Sequence, residues 1–454
     1  MKKIICILCA LVTLLTATAC SANRSRGDDT SKIQSGDGTA SAPDISEEKE
    51  SELANKDFGG KTFKFLYWYE PDDYVKRKVA AFNKAHNANV VIEVKTGRYD
   101  TLAQSIASGQ PYDIFAMHGM FYPHSIFLDI YEPLEKYISK VDMYDSENPD
   151  LGGLSQTVSN AFAWNGSYYA LGSAKSVYCY VIYYNKKMFN EAGIEDPWKL
   201  YKDGKWTWDK FMEIAKTTTD ASNEKYGFMG VGNLYCWLAL NATGAVEIKD
   251  GKIEEKMTDK NFLSALNQYY DLYSGSEPIT AAGLDGDPFT SGSVYMRMDY
   301  SDVYTMRAKY AKNSSAFGRS ADNLGVVPVP ISPLNTESKY PAHAPQGYAS
   351  AKGASDPSVA ACYALFESRY QDQETDGTYQ MPIEIRKEID SLFAKNGFLP
   401  FNGLQDSSGN NYEDIINRKI GDAIRGGADV TSTINNYRTV MQRLIDDTLA
   451  LEKK

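Results

Sequence analysis

Histidine and cysteine are scarce in this chain, with four of the first and six of the second in 454 residues. His118 and His124 lack the H-E-x-x-H spacing of a zinc protease, so no metal site is expected from them. Cys6 and Cys9 fall in an N-terminal apolar run, and Cys179, Cys236 and Cys362 are far apart with no C-x-x-C spacing among them. An odd set of three reads as buried thiols, with one disulfide still open in an oxidising compartment. No G-x-S-x-G elbow is present. Gly60-Lys61-Thr62 resembles the end of a phosphate loop, but Asn55 stands where its leading glycine belongs, and Gly230-Val231-Gly232 lacks the third glycine of a dinucleotide fingerprint. Neither a cofactor nor a catalytic residue is therefore expected. A basic face is also missing: the net charge is -11, which argues against nucleic acid and against direct binding to an anionic membrane surface. No apolar stretch approaches the roughly 20 residues that cross a bilayer.

What is present begins at the N-terminus. Met1-Lys2-Lys3, an apolar run over 4–15 and small residues up to Ala19 have the order of a secretory signal over 1–19. Ala17-Thr18-Ala19-Cys20 resembles a bacterial lipobox, with Ala17 where Leu is common, so Cys20 is the expected lipid attachment; the plainer reading is an ordinary signal peptide with Cys20 a bystander. Residues 20–57 are mostly Ser, Gly, Asp, Glu and Lys and are expected to form a disordered polar tether. About 400 residues remain, more than one core usually serves, so two lobes are expected.

The pattern from Lys61 onward is α/β. A strand runs from Thr62 toward Tyr69, Asp72 and Asp73 offer a helix start, and Val75, Val79, Phe82 and His86 fall on one helical stripe. A second strand at 90–94 completes a βαβ unit and implies a largely parallel sheet. Later strands are expected at 112–119, 177–184, 294–298 and 325–329. Helices are expected at 100–108, 260–273, 358–368, 384–395, 411–424 and 431–451, with Thr207 an N-cap and Asn165-Gly166 a hairpin turn. In open α/β sheets ligands sit at the carboxyl ends of strands, which directs attention to 67–70 and 117–121. The 32 tyrosines suit a surface that grips something both apolar and hydroxylated.

Several motifs occur together in one order: Phe82-Asn83 followed by Val91-Ile92-Glu93-Val94; Ile106-Ala107-Ser108-Gly109 followed by Tyr112-Asp113-Ile114; Asp129-Ile130-Tyr131-Glu132-Pro133-Leu134; Asn165-Gly166-Ser167-Tyr168-Tyr169; Tyr183-Tyr184-Asn185-Lys186-Lys187-Met188-Phe189; Trp206-Thr207-Trp208-Asp209; and Gly325-Val326-Val327-Pro328. This ordered set resembles the extracellular solute-binding proteins of bacterial ABC importers, in the sugar-binding branch related to maltose-binding protein. The resemblance implies a two-lobe periplasmic-binding-protein-like fold with a hinge and an interlobe cleft. Lobe one would hold 58–174 plus 329–400, and lobe two 175–328 plus 401–454. It also implies a monomer outside the cytoplasm, anchored to the outer face of the membrane by its lipid, that captures a carbohydrate and delivers it to transmembrane permease subunits. The cleft positions carried over by motif are Trp68, Tyr69, Glu70, Met117, His118, Tyr178, the segment 232–237 with Trp237, Asp299, Tyr300, Gln346 and Tyr348. The sequence departs from maltose-binding protein at most of them, with Tyr178 where that protein has a carboxylate, so the resemblance does not carry maltose specificity.

Each of these residues also has a structural reading. Aromatics in strands are usually core, which applies first to Tyr67, Tyr180 and Tyr183, and Trp164, Trp206 and Trp208 read as structural. His118 reads equally as a hydrogen-bonded loop residue. Three functional alternatives stay open: a binding protein for a peptide, polyamine or other small solute, a surface-glycan adhesin, and a lipid-anchored glycoside hydrolase built on a pair such as Asp299 and Asp302.

Overall fold

The computed structural model describes residues 43, 45–47, 50–95, 98–145, 151–230, 234–249, 251–276, 278–280, 287–343, 345–371, 380–399 and 403–452. The expected signal, Cys20 and most of the tether lie outside the described residues, as does Gly232.

The first sheet has the order Gln346–Ala349, Ile114–His118, Thr62–Tyr67, Asn89–Val94. Its first three strands in sequence are mutually parallel, as a βαβ unit requires, and Gln346–Ala349 runs antiparallel at the edge. The intervening helix Asp73–Ala85 starts where Asp72 accepts the Val75 N–H, and it buries Val75, Val79 and Phe82. Helix Ser358–Arg369, buried along most of its length, joins it on the same side of the sheet.

The second sheet has the order Leu324–Pro328, Tyr180–Asn185, Val294–Tyr300, Tyr226–Met229. The largely parallel pattern read from the βαβ unit does not extend here, because Tyr180–Asn185 is antiparallel to both neighbours. That strand enters straight from the first sheet's side of the molecule, with no crossover helix in its own lobe to reverse its direction. All six of its residues are buried. Asn185 then caps helix Lys186–Glu191 and Thr207 caps Trp208–Thr217, each through its side chain. Asn165 and Gly166 both have positive φ between the two short strands Ala163–Trp164 and Ser167–Tyr168, the geometry of a type I′ turn.

The chain passes between the sheets three times, and the passages lie side by side. Cys179 bridges Ala342; Tyr340 and Pro341 pair with Gly397 and Phe398; the Ala342 N–H donates to the Phe398 carbonyl at 3.1 Å and the Tyr340 hydroxyl to the Tyr180 carbonyl at 3.0 Å. Backbone groups that would be stranded between two cores are thus paired with one another.

Two of the expected lobe edges fall elsewhere. The tether was expected to run to residue 57, yet Leu53 is 3 % exposed in the first lobe's core, Ser51 donates to Asp142, and Ser46 bridges Ser139. A single leucine and a few polar anchors suffice to sew this polar segment down. Helix Ile383–Asn396, expected in lobe one, packs instead on the crossings and on strand Leu324–Pro328, burying Ile385, Ile389 and Phe393.

The third crossing re-enters at Gly403, which bridges Pro123 and accepts the His124 N–H at 3.4 Å. A Cβ there would fall 1.7 Å from the Tyr122 carbonyl oxygen. We expect Gly403→Ala to force the crossing off this loop and lower stability by about 1–3 kcal/mol, read from thermal unfolding.

Candidate functional site

The parallel strands of the first sheet end at Tyr67 and His118, and the antiparallel strand Gln346–Ala349 begins there, so the residues after the former and before the latter converge. On the second sheet the matching points are the end of Val294–Tyr300 and the start of Tyr180–Asn185. Aromatic rings occupy this line from both sides. Trp68 stands 6.0 Å from His118 between ring centres, and His118 stands 6.2 Å from His343. His343 lies in the second crossing and meets Tyr300 at 4.8 Å, Tyr235 at 5.6 Å and Tyr180 at 6.3 Å. One imidazole therefore touches rings of both lobes. Its Nδ1 sits 3.2 Å from the Tyr180 hydroxyl, and its backbone N–H donates to the Tyr178 carbonyl at 2.7 Å.

Two hollows open between the lobes, separated by the loop Gly119–Tyr122. The larger, about 630 Å³, is lined by Gly119, Tyr122, Gln156, Asn160 and residues 242–248, and it reaches the crossings at Pro345 and Phe398. The smaller, about 430 Å³, lies between Met120, Phe121 and His124 on one side and Asn411, Glu413, Asn417 and Arg418 on the other. The smaller hollow adjoins the ring line. Asn417 accepts the Tyr235 N–H at 3.0 Å, and Met120 donates its N–H to His118 Nδ1 at 3.2 Å. Asn417 and its neighbours belong to a stretch of π-helix, Asp414–Gly421, a form that often marks functional positions. Both volumes suit a small ligand; the larger reaches the strand ends through Gly119 and Pro345, next to His118 and Gln346, and the smaller approaches them through Met120.

Of the residues expected here, Trp68, His118, Gln346, Tyr178 and Tyr300 are half-buried on this line, with Gln346 opposite His118 in register. Tyr69 is 55 % exposed, its hydroxyl 3.3 Å from that of Tyr67, and Glu70 is exposed beside it. The Tyr178 phenol is pushed up first by burial and then by Asp302, Tyr69 and Glu367.

Four expected residues lie behind the wall. Met117 is fully buried, since its strand is covered on both faces. Trp237, 2 % exposed, sits in a helix buried all round and donates its Nε1–H to the Ala265 carbonyl at 3.1 Å. Asp299 is 4 % exposed and accepts from Arg297 Nε at 2.8 Å and Arg307 Nη2 at 2.6 Å. Committed to two guanidiniums, it is not half of a catalytic pair with Asp302. Tyr348 is buried and donates its hydroxyl to Glu367 at 2.6 Å. Trp164 donates to Glu452 and Trp206 to the Pro328 carbonyl, both structural as expected. Cys179, Cys236 and Cys362 are buried thiols. Among the described residues no cluster has the makings of a metal site, and no helix is long and apolar enough to cross a membrane.

His343, Glu413 and Asn417 were not singled out from the sequence, whereas Tyr235 lies in the segment 232–237 that was. The one signal was the aromatic richness around Tyr235; the others carry none at local range.

Two α/β lobes, three adjoining crossings and a line of rings drawn from both lobes beside two hollows define a binding protein of the cleft type. The chain belongs to the bacterial extracellular solute-binding protein family, which matches residues 69–361. It is thus an extracytoplasmic solute-binding protein and not an enzyme. A search of curated protein sequences finds no match. Among solved structures, the sugar-binding protein MalE from the phytopathogen Xanthomonas citri is similar with a TM-score of 0.60 and 13 % identity, covering 86 % of this chain and 98 % of that one. The galacto-N-biose-/lacto-N-biose I-binding protein of the ABC transporter from Bifidobacterium longum, in complex with lacto-N-biose, has a TM-score of 0.58, 16 % identity and coverages of 87 % and 99 %. An ABC substrate-binding protein from Listeria monocytogenes in complex with cycloalternan has a TM-score of 0.54, 17 % identity and coverages of 84 % and 99 %. At these identities the likeness is one of fold.

Burial lowers His343 from 6.5 to about 4. The unfolded chain then binds a proton that the folded chain refuses between those values, so this residue's contribution to stability falls as pH drops from 6.5 through 4. We expect wild type to lose about 2 kcal/mol more than His343→Phe across that window, measured by denaturant unfolding at a series of pH values.

Proposed function

We propose that this protein captures a carbohydrate between its two lobes and delivers it to the permease of an ABC importer. The line of rings that crosses from Trp68 and His118 to Tyr300 and Tyr235 by way of His343 supports this reading most directly. A pyranose offers an apolar face to such rings and hydroxyls around its edge, and Gln346, Glu413, Asn417 and Arg418 supply donors and acceptors for them. Contacts to both lobes bind the closed state more tightly than the open one, so ligand shifts the population toward closure, the form a permease would recognise. The sugars named with two of the similar structures agree with this chemistry. Trp68, Tyr69, Glu70, His118, Tyr178, Tyr300 and Gln346 form the proposed contact set. Asn, Gln, Arg and phenol groups outnumber carboxylates along the cleft, which disfavours a polyamine. The protein acts as a monomer, tethered to the outer face of the membrane by a lipid on Cys20.

Thermal unfolding of the chain from Ser21 onward, against mono- and oligosaccharides, peptides and polyamines, tests the ligand class. A ligand that binds only the folded state adds about 2.7 kcal/mol at a hundredfold excess over Kd. A shift with one saccharide class is expected, and Tyr300→Ala should weaken that saccharide about tenfold, roughly 1.4 kcal/mol. A shift with peptides or polyamines alone would overturn the carbohydrate assignment. Cys20→Ser should release the protein from the membrane fraction into the medium; retention on the membrane would refute the lipid anchor.

A further inference from the structure

Glu367 is a carboxylate buried to 7 % exposure near the end of helix Ser358–Arg369. One of its oxygens takes the Lys78 ammonium and the Tyr348 hydroxyl, the latter at 2.6 Å, and the other accepts the Ser176 hydroxyl at 2.9 Å. Lys78 is itself 5 % exposed, with its ammonium 5.2 Å from the centre of the Tyr74 ring and 5.9 Å from that of Tyr363. Burial alone would raise the Glu367 carboxyl, but the Lys78 charge and the hydrogen bonds of Lys78, Tyr348 and Ser176 hold it below its ordinary range. Burial alone would likewise lower Lys78, and Glu367 raises it. Both groups are therefore ionised.

A buried ion pair is a poor device for stability, since apolar residues of the same volume usually serve as well. Position is what distinguishes this one. Lys78 belongs to the helix Asp73–Ala85, which follows Trp68 and Tyr69 in the chain and carries Tyr74 in its first turn. Tyr348 belongs to the strand that follows the second crossing, and Ser176 lies in the first crossing. Two residues beyond Ser176 comes Tyr178, whose carbonyl takes the His343 N–H. One carboxylate thus holds the Lys78 helix, the first crossing and the exit of the second.

We propose that Glu367 is a positioning residue that pins the first crossing to lobe one as far as Ser176, so that rotation of lobe two begins at Val177 and Tyr178 is presented to ligand at a fixed place. This rests on the reading of the protein as a two-lobe receptor that closes. Ser176 needs its hydroxyl for the pin, and the chain beyond Ser176 needs freedom from it.

Hydrogen exchange of the ligand-free protein tests this without knowledge of the ligand. Ser176→Ala should speed exchange at Val177, Tyr178 and Cys179 at least tenfold while helices Asp73–Ala85 and Ser358–Arg369 exchange as in wild type, and Ser176→Thr, which keeps the hydroxyl, should restore slow exchange. The double variant K78M/E367L, which removes the acceptor and fills the site with apolar volume, should give the same local loosening. Once a ligand is known, its affinity should fall about fivefold in Ser176→Ala and not in Ser176→Thr. Wild-type exchange at 177–179 in both Ser176→Ala and K78M/E367L would overturn the pin. Failure of every saccharide to bind would overturn the carbohydrate reading instead, leaving the exchange result to stand.

Discussion

Everything in this molecule depends on how three passages of backbone cross between two sheets without leaving polar groups stranded. The solution is mutual pairing: Cys179 with Ala342, Ala342 with Phe398, and the His343 N–H with the Tyr178 carbonyl. These bonds run between passages, so the crossings form a ribbon, and beside it helix Val430–Glu452 packs on Ile126–Leu128 of the first lobe while Glu452 accepts from Trp164. A ribbon resists separation of the lobes more than their rotation, the mechanical property a closing cleft needs.

Placing His343 in that ribbon couples the hinge to the ligand surface. Its ring meets His118 of the first lobe and Tyr180, Tyr235 and Tyr300 of the second. A neutral imidazole suits the position because it is flat, packs on rings and offers one donor and one acceptor without a charge to solvate. Beneath the first lobe's wall the Lys78–Glu367 pair holds the framework still. In the second lobe Arg297 and Arg307 do the same around Asp299 and Asp287. Buried ion pairs are thus placed behind the cleft, and aromatic surface lies within it.

Much of the fold was legible in the sequence because it is written locally. Alternating apolar stripes located the strands and helices, and Asp72 and Thr207 marked helix starts by a mechanism that acts within three residues. The cleft was legible at the ends of the first sheet's strands, where topology alone directs attention. What was hidden is non-local. Asp299 reads as a free carboxylate until Arg307 arrives from the following helix, and Met117 reads as strand-end until helices cover both faces of its sheet. Glu413 and Asn417 come from the far end of the chain, and their approach to Phe121 depends on a third crossing that leaves no periodic trace.

The segment before the first strand has a consequence for how force travels through the protein. Leu53, Ser51 and Ser46 are fastened to the first lobe. Any pull arriving from upstream in the chain is therefore delivered to that lobe and bypasses the ribbon. Lobe one becomes the stationary frame and lobe two the moving jaw, so drag or tension on the N-terminal side neither opens nor closes the cleft.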